Sequence, residues 1–161
     1  MDWCALPSGD RYTLKNVSIP ACLLGQPGDL IRTDITIEGG KVSEGPAPEL
    51  DAKGGLLLPA FTDMHTHLDK GHIWPRSPNP DGTFMGALNT VVGDREARWS
   101  AEDVYARASF ALKCAYAHGT RAIRTHLDSI APQEDISWPV FRALRAEWTG
   151  RIELQAVCLT G

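Results

Sequence analysis

Two histidines one residue apart, His65 and His67, stand in the run PAFTDMHTHLDKGH, and Asp63 lies two residues before the first of them. In an extended strand alternate side chains leave by the same face, so both imidazoles and the Asp63 carboxylate share one side. Two imidazoles placed in this way reach one metal ion, with zinc–nitrogen bonds of ~2.0–2.1 Å, and a neighbouring carboxylate can steady a ligand from behind. A bare H-x-H is also just two polar residues at a strand end. The apolar run before it, opened by Pro59, and the alternating elements after it favour the metal. Parallel α/β folds build their sites at the C-terminal ends of strands, which is where this pair falls.

A second constellation lies in TRAIRTHLD, residues 120–128. Alternation puts Arg124, His126 and Asp128 on one face and Ile123, Thr125 and Leu127 on the other. If the apolar face packs on helices, three ionisable side chains point the opposite way, and burying an unpaired charge is costly. They either hold the strands together as a polar network or serve the site, and the two roles are compatible. Asp69 and Lys70, directly after the histidine pair, read as an ion pair closing a turn. His72, Trp74 and Phe84 flank a proline-rich loop that is either one wall of a ring-binding pocket or packing beneath a surface loop. His118, just before Gly119, suits the C-terminal end of a helix.

The elements that must position these residues follow from periodicity and punctuation. Tyr12–Ile19 and Asp34–Gly45 read as strands, the latter a hairpin around Gly39–Gly40. After Gly54–Gly55, LLLPAFTDMHTH reads as one continuous strand, and residues 72–82 as loop. Ser100 caps a helix in which Val104, Ala108, Ala111, Leu112 and Ala115 recur at helical spacing, with Gly119 as its stop. A strand over residues 120–128 comes next. Ser137 then caps a helix ending at Gly150, and Arg151–Leu159 is a third strand. Strand, helix, strand, helix, strand is the order of a parallel α/β sheet. The predicted division is residues 1–55, short β-strands, and 56–161, the α/β part.

The 161 residues are 43% hydrophobic and 22% charged, the composition of an ordinary globular chain. A net charge of −4 without a Lys/Arg cluster argues against a nucleic-acid partner. No run approaches the ~18 apolar residues of a membrane span, and the N-terminus carries no secretory pattern. Four scattered cysteines with no C-x-x-C fit free thiols, so the expected location is the cytoplasm.

LLLPAFTDMHTHLDK resembles the first-strand motif of the amidohydrolase superfamily, in which a PGF-x-D-x-H-x-H strand supplies two metal ligands; Ala60 stands where that motif usually has glycine. HLDKGHIWPR, NPDGTFMGAL, a D-V-x-x-R helix and IRTHLDS together resemble its cytosine deaminase-like branch, from about Gly54 to Leu159. The resemblance implies the N-terminal part of a metal-dependent (β/α)8 TIM barrel, preceded by strands of a small β-sandwich, with the barrel incomplete in this chain. It implies one divalent metal ion, zinc or iron, held in part by His65 and His67. Asp63, His126 and Asp128 become candidates for contacts to the ligands, the metal's water or the substrate, a planar nitrogen heterocycle losing an exocyclic amine. The family's remaining ligands and its general acid/base glutamate, in an H-x-x-E motif, are expected beyond Gly161. No catalytic residue is therefore assigned within the chain, which by itself is expected to be inactive. A complementary C-terminal chain or a homo-oligomer is the expected macromolecular partner. The alternatives are a non-catalytic α/β module that binds a partner chain, and a hydrolase of cyclic amides or N-alkylamines. The cytidine-deaminase type of zinc enzyme is excluded, since neither H-x-E nor P-C-x-x-C occurs.

Overall fold

Alternating apolar residues and β-branched side chains make Arg11–Pro20 (β1) the centre of the first unit. A computed structural model of the chain describes residues 6–160, in two compact units, Met1–Pro59 and Ala60–Gly161. In the first, β1 pairs antiparallel with Leu30–Glu38 (β2) and parallel with Glu49–Asp51 (β4), while Lys41–Ser43 (β3) extends β2. The result is one four-stranded sheet in the order β3-β2-β1-β4. Gly39 and Gly40, at φ 58° and 75°, supply the two left-handed residues that a tight I′ hairpin between β2 and β3 requires. Between Leu14 and Val17 the register with β2 shifts, and Asn16 there takes φ 57° while its amide donates to Asp34 Oδ1 at 2.9 Å. This bulge changes the phase of alternation, so Leu14, Val17 and Ile19 all bury on one small core. Leu57 packs against that core, and its amide bonds Ser18 O at 2.9 Å. The predicted continuous strand is thus corrected: Leu56–Leu58 belong to the first unit, and Pro59 interrupts the run.

The second unit is built on three parallel strands, Phe61–Thr66 (β5), Thr120–Asp128 (β6) and Glu153–Leu159 (β7), in the order β5-β6-β7. Three helices accompany them: Phe84–Arg98 (α1), Ala101–Ala117 (α2) and Glu134–Glu147 (α3). Ile123, Leu127 and Leu154 from one face of the sheet form the core with Val104, Ala108 and Leu112 of α2 and Val140, Phe141 and Leu144 of α3. Leu112 and Leu144 are at most 1% exposed, and truncating such a leucine to alanine costs about 2–5 kcal/mol. The opposite face carries Arg124 and His126, as alternation predicts, with Gln155 of β7 beside Arg124. Cys22, Cys114 and Cys158 are free thiols, and Cys4 lies outside the described residues. Among those residues no helix is long and apolar enough to cross a membrane.

Two helix assignments differ from the sequence expectation. Helix α1 was not predicted, because Gly86 and Gly93 interrupt it and its one buried residue is Asp94, so it shows no apolar stripe. It is instead capped by Thr83, whose hydroxyl accepts from Gly86 N at 2.9 Å, and tethered by charges described below. Helix α3 begins at Glu134, three residues before the expected cap Ser137. Gln133 O closes its first turn by accepting from Ile136 N and Ser137 N, and Glu134 and Asp135 suit that end of the helix dipole. Ser137 is buried within the helix and turned to the core. Ser100 does cap α2, its oxygen accepting from Asp103 N at 3.2 Å.

Candidate active site

Three imidazoles gather at the C-terminal ends of β5 and β6. The β5–β6 ladder pairs Asp63 with Ile123 and Thr66 with Thr125, so three steps on β5 span two on β6. This irregularity falls at Met64 and His65, and Asp63 Oδ1 closes it by accepting from His65 N at 3.0 Å. Bulges of this kind re-aim side chains beside functional sites. Here His65 and His67 converge until their Nε2 atoms are 3.3 Å apart. His126, from the neighbouring strand, stacks on His65 with ring centroids 4.2 Å apart and lies 5.5 Å from His67.

The distance between the two Nε2 atoms is informative. Around a tetrahedral ion with bonds of ~2.0–2.1 Å, two ligand nitrogens sit about 3.3–3.4 Å apart. Metal ligation also needs neutral imidazole. His67 has its pKa lowered by burial, then by the Lys70 ammonium and by His126 and His65. The pair therefore fits two positions of a metal's ligand set in spacing, and the lowered pKa of His67 favours the neutral ring that ligation needs. Among the described residues no group of three or more His, Cys, Asp or Glu is arranged to hold an ion, so this chain offers a two-nitrogen seat with a third imidazole beside it.

The other predicted site residues have different partners. Asp63 is exposed and serves the bulge rather than an imidazole. Asp128 is buried and receives Lys70 Nζ at 2.5 Å and Arg95 Nη1 at 2.9 Å, one on each oxygen. Arg124 bonds Gln155 Oε1 through Nε and Nη2 at 3.1 and 2.8 Å. The expected Asp69–Lys70 ion pair is corrected. Lys70 turns to Asp128, while Asp69 is 1% exposed and accepts Asp128 N at 2.7 Å. Burial raises the Asp69 pKa, opposed by that backbone bond and reinforced by the Asp128 charge. A strand-end carboxylate with two long cations within reach has better electrostatic options than a neighbour in a turn.

Sequence reasoning missed the residues that hold the loop after β5. Arg76 Nε and Nη2 grip Asp94 of α1 at 2.9 and 2.7 Å, and its Nη1 and Nη2 reach Asp103 of α2 at 2.5 and 2.9 Å. Arg107 of α2 donates from Nη1 to the carbonyls of Asp69 and Gly71 at 2.7 and 2.8 Å. Arg107 was visible in the D-V-x-x-R helix, but its target was not. His72 sits at φ 60° with its ring edge-on to Phe110 at 4.9 Å. With Ile73, Trp74 and Asn79 it forms one wall of an open groove of about 200 Å³, whose other wall is Ala87, Thr90 and Val91 of α1. His118 ends α2, with Nδ1 2.7 Å from Cys114 O.

Known proteins share this fold. The amidohydrolase family is matched over residues 49–136, more than half of the chain. A pterin deaminase of Rhizobium rhizogenes is 49% identical over 166 residues, covering 95% of this chain and 38% of that protein. The 5-methylcytosine deaminase of Klebsiella pneumoniae superposes with a TM-score of 0.69 at 23% identity, over 91% of this chain and 36% of that one, which establishes the fold. N-isopropylammelide isopropylaminohydrolase of Burkholderia multivorans gives a TM-score of 0.66 at 26% identity, over 92% of this chain and 37% of its own. The chain thus spans well under half the length of these relatives. With the H-x-H strand, the β/α order and the family match in agreement, the chain belongs to the amidohydrolase family.

Proposed function

We propose that this chain is the metal-bearing N-terminal part of a deaminase that hydrolyses an exocyclic C–N bond of a planar nitrogen heterocycle, with β5, β6 and β7 the first three strands of a (β/α)8 barrel. The observation that carries the proposal is the convergence of His65 and His67 Nε2 to 3.3 Å, with His126 stacked alongside, at the mouth of adjacent parallel strands. The 49% identity to a pterin deaminase supports the reaction class and the kind of ring. His65 and His67 would hold one divalent ion, zinc or iron. When bound, that ion acts as a Lewis acid and brings the pKa of water toward ~7. His126 is placed to hydrogen-bond the reacting group, and Asp63 keeps the bulge that aims His65. Asp128, through Lys70 and Arg95, fixes the loop and helix beside the mouth. The general acid/base and the remaining ligands come from outside this chain.

A second reading, release of an N-alkylamine, is favoured by the 26% identity to the isopropylaminohydrolase. Metal analysis of the protein carrying this chain at its full length tests the site. Bound zinc or iron is expected in the parent and absent from His65→Ala/His67→Ala. Metal retained by that variant refutes the assignment. Turnover of pterin, cytosine and N-alkylaminotriazines by the protein carrying this chain at its full length then separates the readings, since ammonia and an alkylamine are distinct products. A monodisperse, cooperatively unfolding 161-residue chain would instead favour a non-catalytic module that binds a partner chain, whereas a folded chain without metal fits half of a site whose other ligands lie elsewhere.

A further inference from the structure

His67 lies one residue past the end of β5, outside the ladder that would hold an ordinary strand residue. Metal-binding imidazoles are usually oriented through their second nitrogen, which donates to a carboxylate, carbonyl or water. Nδ1 of His67 is buried, and the group that acts on the ring as a hydrogen-bond partner is the backbone of His126, not a carboxylate. The main chain that carries the ring therefore shares in setting its direction.

That main chain is pinned directly after the ring. Leu68 N donates to Thr125 Oγ1 at 2.9 Å. Thr125 is 0% exposed and stands between Ile123 and Leu127 on the helix-packed face of β6, where a hydroxyl adds nothing to apolar packing and is costly unless bonded. Valine would fill the same space without that cost. The hydroxyl reaches across the sheet, 57 positions along the sequence, to the peptide joining His67 to Leu68. Displacement of the chain at this point would carry the Cα of His67, and with it the ring, away from His65.

We infer that Thr125 is a positioning residue for the histidine pair: its hydroxyl fixes the Leu68 amide and so holds the backbone from which the His67 ring projects. This rests on the metal assignment above. Metal affinity, rather than activity, is the readout, because a threonine that merely stabilised the sheet would leave it unchanged in the folded protein.

Zinc affinity is measured by chelator competition on the full-length protein that carries this chain, and on its Thr125→Val and Thr125→Ser variants, well below each melting transition. Thr125→Val is expected to bind roughly 10–100-fold more weakly, the usual effect of losing an orienting bond, while Thr125→Ser, which keeps the hydroxyl, stays within about threefold. Equal affinity of Thr125→Val and parent overturns the inference and leaves the metal assignment standing. A parent that binds no zinc, or whose binding survives His65→Ala/His67→Ala, overturns both. If Thr125→Val does not fold, hydrogen exchange at the Leu68 amide of the parent decides. Protection like that of the β6 ladder amides is expected, and exchange as fast as an exposed turn amide overturns the inference.

Discussion

Replacing Arg76 with methionine removes the single side chain that ties the loop after β5 to both α1 and α2. Its guanidinium makes two hydrogen bonds to Asp94 and two to Asp103. The Asp94 side chain is 0% exposed, whereas that of Arg76 is 27% exposed. Breaking a buried pair by removing one partner costs about 3–5 kcal/mol. Partial exposure of Arg76, and the bonds Asp94 keeps from Ser77 Oγ at 2.6 Å and Trp99 Nε1 at 2.9 Å, reduce this to about 2–3 kcal/mol. A second route agrees. Burial opposes the charge on Asp94, but hydrogen bonds from Arg76, Ser77 and Trp99 and the Arg76 charge outweigh it and bring its pKa down to about 2. Against ~3.9 in the unfolded chain, that shift corresponds to about 2–3 kcal/mol for all these partners together. The folded pKa is depressed, so this stability is present above about pH 4 and is lost as pH falls toward 2. Asp103, lowered chiefly by its bond to Arg76, adds in the same direction. Urea denaturation followed by tryptophan fluorescence at pH 7 should show Arg76→Met less stable by about 2 kcal/mol. The gap should close between about pH 4 and pH 2. A gap below about 0.5 kcal/mol at pH 7, or one that does not change with pH, would refute the clamp.

Two further outcomes follow from the same network. Asp128→Asn leaves Lys70 and Arg95, whose side chains are 19% and 20% exposed, without their common counter-charge, and should cost about 2–4 kcal/mol in urea denaturation with faster hydrogen exchange along α1. Unchanged exchange in α1 would show that Arg95 does not tether the helix. Thr83→Ala removes the α1 cap and should cost about 1 kcal/mol, with increased exchange confined to the first turn, read at Gly86 N. Loss of protection throughout α1 would mean that the cap, rather than Arg76 and Arg95, carries the helix.

The network explains why the site has an apolar floor and a charged rim. Below it, Leu127 and Leu154 pack against α2 and α3 and give β6 a rigid seat. Above it, successive residues from Leu68 to Gly71 are each held by a partner from β6 or α2. Two nitrogens can be kept 3.3 Å apart only if the chain between and after them cannot drift, and local strand geometry alone does not prevent drift at a strand end.

What the sequence by itself determined rests on neighbours two to four positions apart. The shared face of His65 and His67, the opposite faces of Thr125 and His126, the Gly39–Gly40 hairpin and the Ser100 cap all follow from strand and helix period or from backbone preference. The family motifs were legible for the same reason, being short and contiguous. Helix α1 was not, since it is held by ion pairs between Arg76 and Asp94, 18 positions apart, and between Arg95 and Asp128, 33 apart, and leaves no periodic trace. The pairing of Lys70 with Asp128 instead of Asp69, 58 positions against one, is of the same kind. So is the bulge at Met64–His65, which exists only as a mismatch with β6. Charge pairs and strand register join residues that are distant in sequence, so only the tertiary structure decided which carboxylate met which cation and how closely the two imidazoles converged.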